Sequence, residues 1–273
     1  MSDAPLVILG CGFLGRTAAK LALERGRTVI ATVRSEQSAI ALRATGIDAR
    51  VHPHLDTRIV RSLAEAPDLL VTFPPDGDLD AKLTFSPRRA VYVSSTGVYG
   101  EARGDVDETT PVDLRLPRAA ERFAAERHWR DRGATVLRAA GIYGPGRGIH
   151  LRIANGTFRI MGDGSNVVSR IHVHDLATLV LAALDRSDAG SMYVAADDTP
   201  VPQIEAVRFL CDVLERPLPP SIALADVGGA LRHDRCVRNA RARSDLQWAP
   251  RFAGYREGFV DAIRADGLHL REG

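Results

Sequence analysis

The sequence predicts an α/β fold: a doubly wound parallel sheet joined to a smaller, partly helical C-terminal region. Three observations carry this prediction. Apolar strand-like runs alternate with helix-like segments through the first half of the 273 residues, the pattern of parallel strands with helical crossovers. The first run leads straight into Gly10-x-Gly12-x-x-Gly15, with helical spacing behind it. Beyond Gly144-Pro-Gly-Arg-Gly148 the alternation loosens into shorter, mixed segments.

In order, Leu6–Leu9 reads as a buried strand and 14–25 as a helix ended by Gly26. A second strand follows at 28–33, a short helix at 38–44 closed by Gly46, a third strand at Asp48–Val51 and a helix near 57–64. The fourth strand, 68–73, is stopped by Pro74 and Pro75; the fifth is 90–94. A long charged helix at 117–132 precedes the sixth strand, Thr135–Ala139. Residues 151–161 are mixed, Gly162-Asp-Gly164 is a turn, and 171–185 reads as a strand and then a helix. Met192–Ala195 is one more candidate strand, 202–215 an amphipathic helix, and Pro217-Leu-Pro-Pro220 breaks the chain. The expected division is a dinucleotide-binding domain at 1–145 plus about 168–192, with a substrate-binding region at about 146–167 and 193–273.

Composition narrows the function classes. Apolar content of 45% and charged content of 26% suit a soluble globule. A net charge of +2 makes no case for nucleic acid or membrane as partner; it is the dinucleotide turn that implies a small-molecule substrate. Cys11, Cys211 and Cys236 are far apart and show no metal-binding spacing, so no metal is expected and a reduced, cytoplasmic protein is. No signal peptide precedes the first strand, and no apolar run approaches the ~18 residues that would suggest a membrane span. The cations are almost all arginine; Lys20 and Lys82 are the only lysines available to a mechanism that needs one.

The glycine turn carries the first chemical expectation. Gly10 permits a tight bend, and Gly12 lets backbone approach phosphate with no Cβ in the way. Gly15 lets the helix pack on the strand, and the free N–H groups of that helix, around Phe13 and Leu14, face the anion. A strand, this turn and a helix form the Rossmann arrangement for a nicotinamide dinucleotide; the alternative is a glycine turn that binds nothing. An NAD site usually carries an acid about 20 residues further on, against the ribose hydroxyls. Here the second strand ends Ala31-Thr-Val-Arg34-Ser35, with no acid before Glu36. Arg34 can pair with a 2′-phosphate, which a carboxylate would repel, so NADP is favoured and NAD is the alternative. The competing reading of Arg34 is a solvated loop residue.

Three more runs close strands: Val91-Tyr-Val-Ser94-Ser95-Thr96-Gly97-Val98-Tyr99-Gly100, Val136-Leu-Arg-Ala-Ala-Gly-Ile142-Tyr143-Gly144-Pro145, and Arg170-Ile-His-Val-His-Asp175. In this order behind the glycine turn they resemble the extended short-chain dehydrogenase/reductase superfamily, in its NAD-dependent epimerase/dehydratase branch. The likeness reaches Leu246-Gln-Trp248-Ala-Pro250 and Tyr255-Arg-Glu-Gly258. It implies that Ser95 holds the reacting oxygen of the substrate and that Ser94 beside it borders the cofactor. It also implies that Phe73 and Pro74 line the cofactor, that Ala140 and Ile142 cradle the nicotinamide end, and that Leu55 lies near adenine. At that last position the family has an Asp-Leu pair, and this chain has His54-Leu55.

The pattern departs from the family at the acid–base pair. The family places a Tyr and, four residues on, a Lys on one helical face; the ammonium lowers the phenol pKa so that it can move a proton. Aligned through Phe123-Ala-Ala-Glu126, these positions hold Arg118 and Arg122, and no Tyr-x-x-x-Lys occurs anywhere in the chain. Arginine stays protonated and cannot serve as the base, although Arg122 can still bind ribose or phosphate. Members acting on sugar nucleotides carry an Arg at the position of Val168, so a nucleotide-sugar substrate is not expected.

The candidate substitutes are Tyr99, with Arg103 one turn on if that loop is helical, and His174 oriented by Asp175. Tyr99 is otherwise a packing residue. His172 and His174 share a face if their segment is a strand, and His172 is expected to bond to structure. Glu121 and Glu126 are expected to be solvated partners of Arg118, Arg122 and Arg130. Two readings of function follow. One is an NADP-dependent oxidoreductase or epimerase with an atypical active site; the other is an NADP-binding sensor or regulatory protein that turns nothing over. A homodimer is the expected assembly, despite the Arg- and Glu-rich helix at 117–132.

Overall fold

The computed structural model describes residues 4–84, 87–226 and 234–271. The elements run β1 (Leu6–Leu9), α1 (Phe13–Glu24), β2 (Val29–Val33), α2 (Glu36–Arg43), β3 (Asp48–Val51), α3 (Thr57–Leu63), β4 (Asp68–Val71), α4 (Gly77–Lys82) and β5 (Arg89–Ser95). A 3₁₀ turn at Thr96–Tyr99 leads to β6 (Arg103–Val106), α5 (Pro117–Arg130), β7 (Thr135–Ala139), β8 (Gly141–Tyr143), α6 (Ile149–Ala154), β9 (Ile160–Met161) and β10 (Val167–Val168). Then come β11 (Arg170–His172), α7 (Val173–Arg186), β12 (Met192–Ala195), β13 (Val201–Pro202), α8 (Gln203–Val213), β14 (Ser221–Ile222), β15 (Asp234–Val237), α9 (Ala240–Leu246) and α10 (Tyr255–Ala265).

Seven parallel strands form the central sheet in the order β12-β7-β5-β4-β1-β2-β3. The order reverses between β1 and β4, so the crevice for a ligand opens beyond the carboxyl ends of those two strands. Strands buried on both sides read as continuous apolar runs, as Leu6–Leu9 and 69–71 do; Asp68, also buried, is paired with Arg27 and Arg88. One core joins α1, α2 and α7 to one face of the sheet; a second joins α3 and α5 to the other. Trp129 anchors the second core, its indole N–H donating to Asp80 on α4 at 2.9 Å. A third cluster, built from α6, α8 and α10, forms the centre of the smaller region. β12 joins the large sheet beside β7, so that sheet extends to Ala195.

Several segments differ from the sequence expectations. The helix α4 follows the two prolines directly, with the Asp76 carboxylate accepting from the Leu79 N–H at 3.0 Å; it is too short to show a period. Past Ser95 the chain makes a 3₁₀ turn and then β6, so Arg103 does not stand one helical turn beyond Tyr99. The segment around His172 is a strand end followed at once by α7, so His172 and His174 do not share a strand face. The small strands β6, β10, β13 and β15 pair across long stretches of sequence, with no local signal.

Candidate dinucleotide and substrate site

The glycine turn sits at the strand-order reversal. Gly10 has φ +78°, and a Cβ there would lie 3.1 Å from Cβ of Phe73, the residue on the turn after β4. The turn is pinned from both neighbours: Gly10 N–H donates to Thr32 Oγ1 at 3.2 Å, and Thr72 Oγ1 donates to the Gly10 carbonyl at 2.6 Å. A Cβ on Gly15 would press to 3.2 Å on both Cys11 Sγ and Ile8, so only glycine lets α1 lie this close to β1. Gly12 is different, because its Cβ position meets only the Gly10 carbonyl at 3.8 Å and is otherwise open. As N-cap of α1 it offers no side-chain acceptor, and the first turn holds no acid. The N–H groups of that turn have no intrahelical acceptor. This donor set fits a pyrophosphate. Burial pushes the Cys11 thiol up to about 12, which leaves it a protonated filler.

Beyond β2, Arg34 is exposed and has no hydrogen bond or ion pair among the described residues. Ser35 caps α2, accepting from the Ser38 N–H at 3.3 Å, and Glu36 is held by Arg43 at 2.5 Å. The first acid along the chain after Arg34 is therefore engaged in a surface ion pair. Leu55 packs on the α3 side of the core, His54 and Pro74 are exposed, and Phe73 is half-buried against the glycine turn.

At the end of β5 the Ser95 hydroxyl accepts from the Gly97 N–H at 3.1 Å, which leaves its own proton free to be donated. Ser94 points the other way, donating to Glu126 at 2.6 Å. Glu126 is 1% exposed and holds Arg138, at 3% side-chain exposure, through a two-pronged pair with a closest approach of 2.7 Å. This corrects the expectation of a solvated Glu126: it stands on the buried face of α5 and serves a buried arginine. Arg138 also donates to the Tyr99 hydroxyl at 3.1 Å, and that hydroxyl donates to the Asp107 carbonyl at 2.7 Å. Burial lifts the Tyr99 phenol above its ordinary value despite the arginine beside it. Its proton is committed inside the protein.

Arg118 and Arg122 open α5, Arg118 exposed and Arg122 half-buried, and neither has a hydrogen bond or ion pair among the described residues. Ala140 is buried, its N–H bonded to Ala195 at 2.9 Å, and Ile142 lies half-buried in β8 opposite Ile171. The following loop is braced by Asp266, which accepts from Gly146 N–H at 2.7 Å and pairs with His150 at 2.8 Å. It carries Arg147 over the Phe13 ring, 5.4 Å from its centroid, at the start of α1.

His172 accepts the His174 N–H at 3.3 Å, and burial pushes its imidazole down to about 4, against the opposing pull of Asp261. Asp175 accepts from the backbone N–H groups of Arg251 and Phe252 at 2.8 and 3.1 Å, so it fastens the C-terminal segment. His174 lines a hollow with Arg16, Lys20, Arg251 and Phe252 on the α1–α7 side of the sheet. Ser95 stands at the end of β5, beside α5.

Sequence reasoning missed Arg138, Asp197 and Arg235. A charged residue inside an apolar strand, as in Val136-Leu-Arg138-Ala, was the visible signal for the first. Arg235 donates to the Thr96 and Gly100 carbonyls at 2.7 and 2.9 Å and holds the turn beyond Ser95.

A model of the NAD-dependent epimerase/dehydratase family matches residues 79–196. Protein YeeZ of Escherichia coli (strain K12) is 30% identical over 210 residues, 69% of this chain and 76% of YeeZ. This chain belongs to the NAD-dependent epimerase/dehydratase family. A functionally unknown conserved protein from Silicibacter pomeroyi DSS has the same fold, with a TM-score of 0.83 at 30% identity over 96% of this chain and 98% of that one. UDP-glucuronic acid 4-epimerase from Bacillus cereus, solved with UDP-glucuronic acid and NAD, shares the fold at 14% identity, with a TM-score of 0.80 over 96% and 99% of the two chains. The epimerase/dehydratase match spans β5, α5 and β7, so the strand ends around Ser95 and Ala140 fall within it. Among the described residues, no helix is long and apolar enough to cross a membrane, and no group of His, Cys, Asp or Glu could hold a metal ion.

The openness of Gly12 separates folding from binding. Gly12→Ala should leave the melting temperature of the unliganded protein nearly unchanged, since its Cβ meets no side chain. The same methyl would stand where phosphate approaches, so the melting shift produced by NADPH should largely vanish.

Proposed function

We propose that this chain binds NADP and uses it to reduce, oxidise or epimerise a small carbonyl or hydroxyl compound. The observation that carries the cofactor choice is Arg34, unpaired beyond β2 while Glu36 is engaged by Arg43. In this reading Gly10, Gly12, Phe13, Leu14 and Gly15 hold the pyrophosphate. Arg34 and Ser35 take the 2′-phosphate, Leu55, Phe73 and Pro74 border the adenosine half, and Ala140 and Ile142 receive the nicotinamide end. Bound NADP supplies hydride transfer.

The protein's own part is to orient the substrate and manage its proton. Ser95 accepts from Gly97 and so directs its proton outward, towards a substrate oxygen. Ser94, bonded to Glu126, supports that strand end from below. Arg118 cannot exchange a proton, and the Tyr99 hydroxyl donates to a backbone carbonyl. These two observations favour a second reading, in which NADP is bound without turnover.

The test of the cofactor is thermal stability with each dinucleotide. NADPH should raise the melting temperature more than NADH, and Arg34→Ala should weaken NADPH binding about tenfold or more and close the gap. Equal shifts from both cofactors in the unmodified protein would remove the NADP assignment. Substrate-dependent NADPH oxidation separates the enzyme from the binding protein.

A further inference from the structure

The first two turns of α5 carry two arginines, Arg118 and Arg122, that have no ion pair among the described residues. Ala119, Glu126 and Trp129 mark the buried stripe of this helix, and at helical spacing Arg122 falls in its middle. Glu126 cannot serve as its counter-charge, because both carboxylate oxygens are taken by Arg138 and one also by Ser94. Glu121 is exposed and has no ion pair with either arginine among the described residues, and the first turn of the helix has no acid. Asp113, just upstream, is paired with Arg115 at 2.8 Å. The neighbouring Tyr92 hydroxyl is buried and has no partner.

Helix pitch places these arginines relative to the sheet. β5 and β7 are parallel, so the connecting α5 runs back against them. Moving towards its N-terminus therefore moves towards the carboxyl ends of the strands. Glu126 stands level with Ser94, to which it is bonded at 2.6 Å. Four residues earlier is a rise of about 6 Å, which sets Arg122 at the lip of the sheet beside Ser95, with Arg118 another turn above it. A half-buried guanidinium without a counter-charge is unfavourable, and a bound anion would offset that cost.

We propose that the substrate carries an oxyanion, a carboxylate or a phosphate, held by Arg118 and Arg122 next to the oxygen that Ser95 receives. The inference rests on the reading of this crevice as the substrate site of a dinucleotide-dependent protein, and it supplies the substrate class. A planar guanidinium matches either oxyanion with paired donors.

Matched probes test it, added to the protein saturated with NADP: lactate against 1,2-propanediol for the carboxylate, and glycerol 3-phosphate against glycerol for the phosphate. The expected result is that one anionic probe binds at millimolar concentration while its neutral counterpart does not. Arg118→Ala and Arg122→Ala should each weaken that binding about tenfold or more. Arg127→Ala, an exposed change on the same helix, should leave it intact. Equal behaviour of anionic and neutral probes, no binding by either anion, or undiminished binding in both arginine variants would overturn the proposal. So would an Arg122→Ala variant that loses NADPH instead of the anion. Failure of NADPH to shift the unmodified protein would count against the cofactor reading alone, since the probe pairs can be compared without it.

Discussion

Replacing Glu126 by alanine should destabilise the fold by about 3–5 kcal/mol, and Arg138→Ala should cost a similar amount. Each change leaves the other charge buried, because Glu126 and Arg138 meet between α5 and β7 at 1% and 3% side-chain exposure. The effect should spread, since Ser94 loses its acceptor in one variant and Tyr99 loses a donor in the other. The double replacement Glu126→Leu with Arg138→Met should recover much of the loss, because no charge then remains uncompensated. Urea unfolding of the four proteins measures each loss and its recovery. Single variants that cost less than about 1 kcal/mol would show that the pair is wetter than its burial implies.

Raising the pH from about 4 to about 8 should weaken the protein through Asp197, and Asp197→Asn should remove that part of the dependence. Asp197 is 2% exposed, one of its oxygens has no partner, and burial pushes its carboxyl up to about 8 although Arg170 pulls the other way. The unfolded chain ionises near the ordinary value of 3.8. Between these two values the native state holds a proton that the unfolded state has released, so stability falls as pH rises and levels off above the folded value. The effect is on the order of a few kcal/mol. His172 acts in the opposite sense: with its folded value down near 4 against 6.5, stability falls as pH drops through that window. The comparison of the unmodified protein with Asp197→Asn therefore isolates the carboxyl. Parallel urea midpoints for the two proteins across the range would count against a protonated Asp197.

Much of the nucleotide half was legible because its signals are local. Four apolar residues, a glycine turn and a helix lie within 6–24, and the strands at Asp48–Val51, Thr135–Ala139 and Met192–Ala195 stand where the sequence pattern places them. The missing Tyr-x-x-x-Lys was equally plain, being a matter of spacing. The small strands were not legible, since β15 pairs with β6 across 131 residues of sequence, from Cys236 to Asp105. The fate of Tyr99 was hidden for the same reason: its hydroxyl partner Arg138 lies 39 residues away.

By itself, then, the sequence determined the parallel sheet, the glycine turn between β1 and α1 and the absence of any Tyr-x-x-x-Lys. Periodicity, glycine spacing and residue identity are properties of neighbouring residues, and they survive without a fold. Tertiary structure alone decided which charges are spent. It buried Glu126 against Arg138, turned the proton of Tyr99 inward, fastened Asp175 to the C-terminal segment and, among the described residues, left Arg34, Arg118 and Arg122 without an ion pair. Whether a charged side chain meets its counter-charge depends on which distant strand or helix packs against it, and no local pattern records that choice.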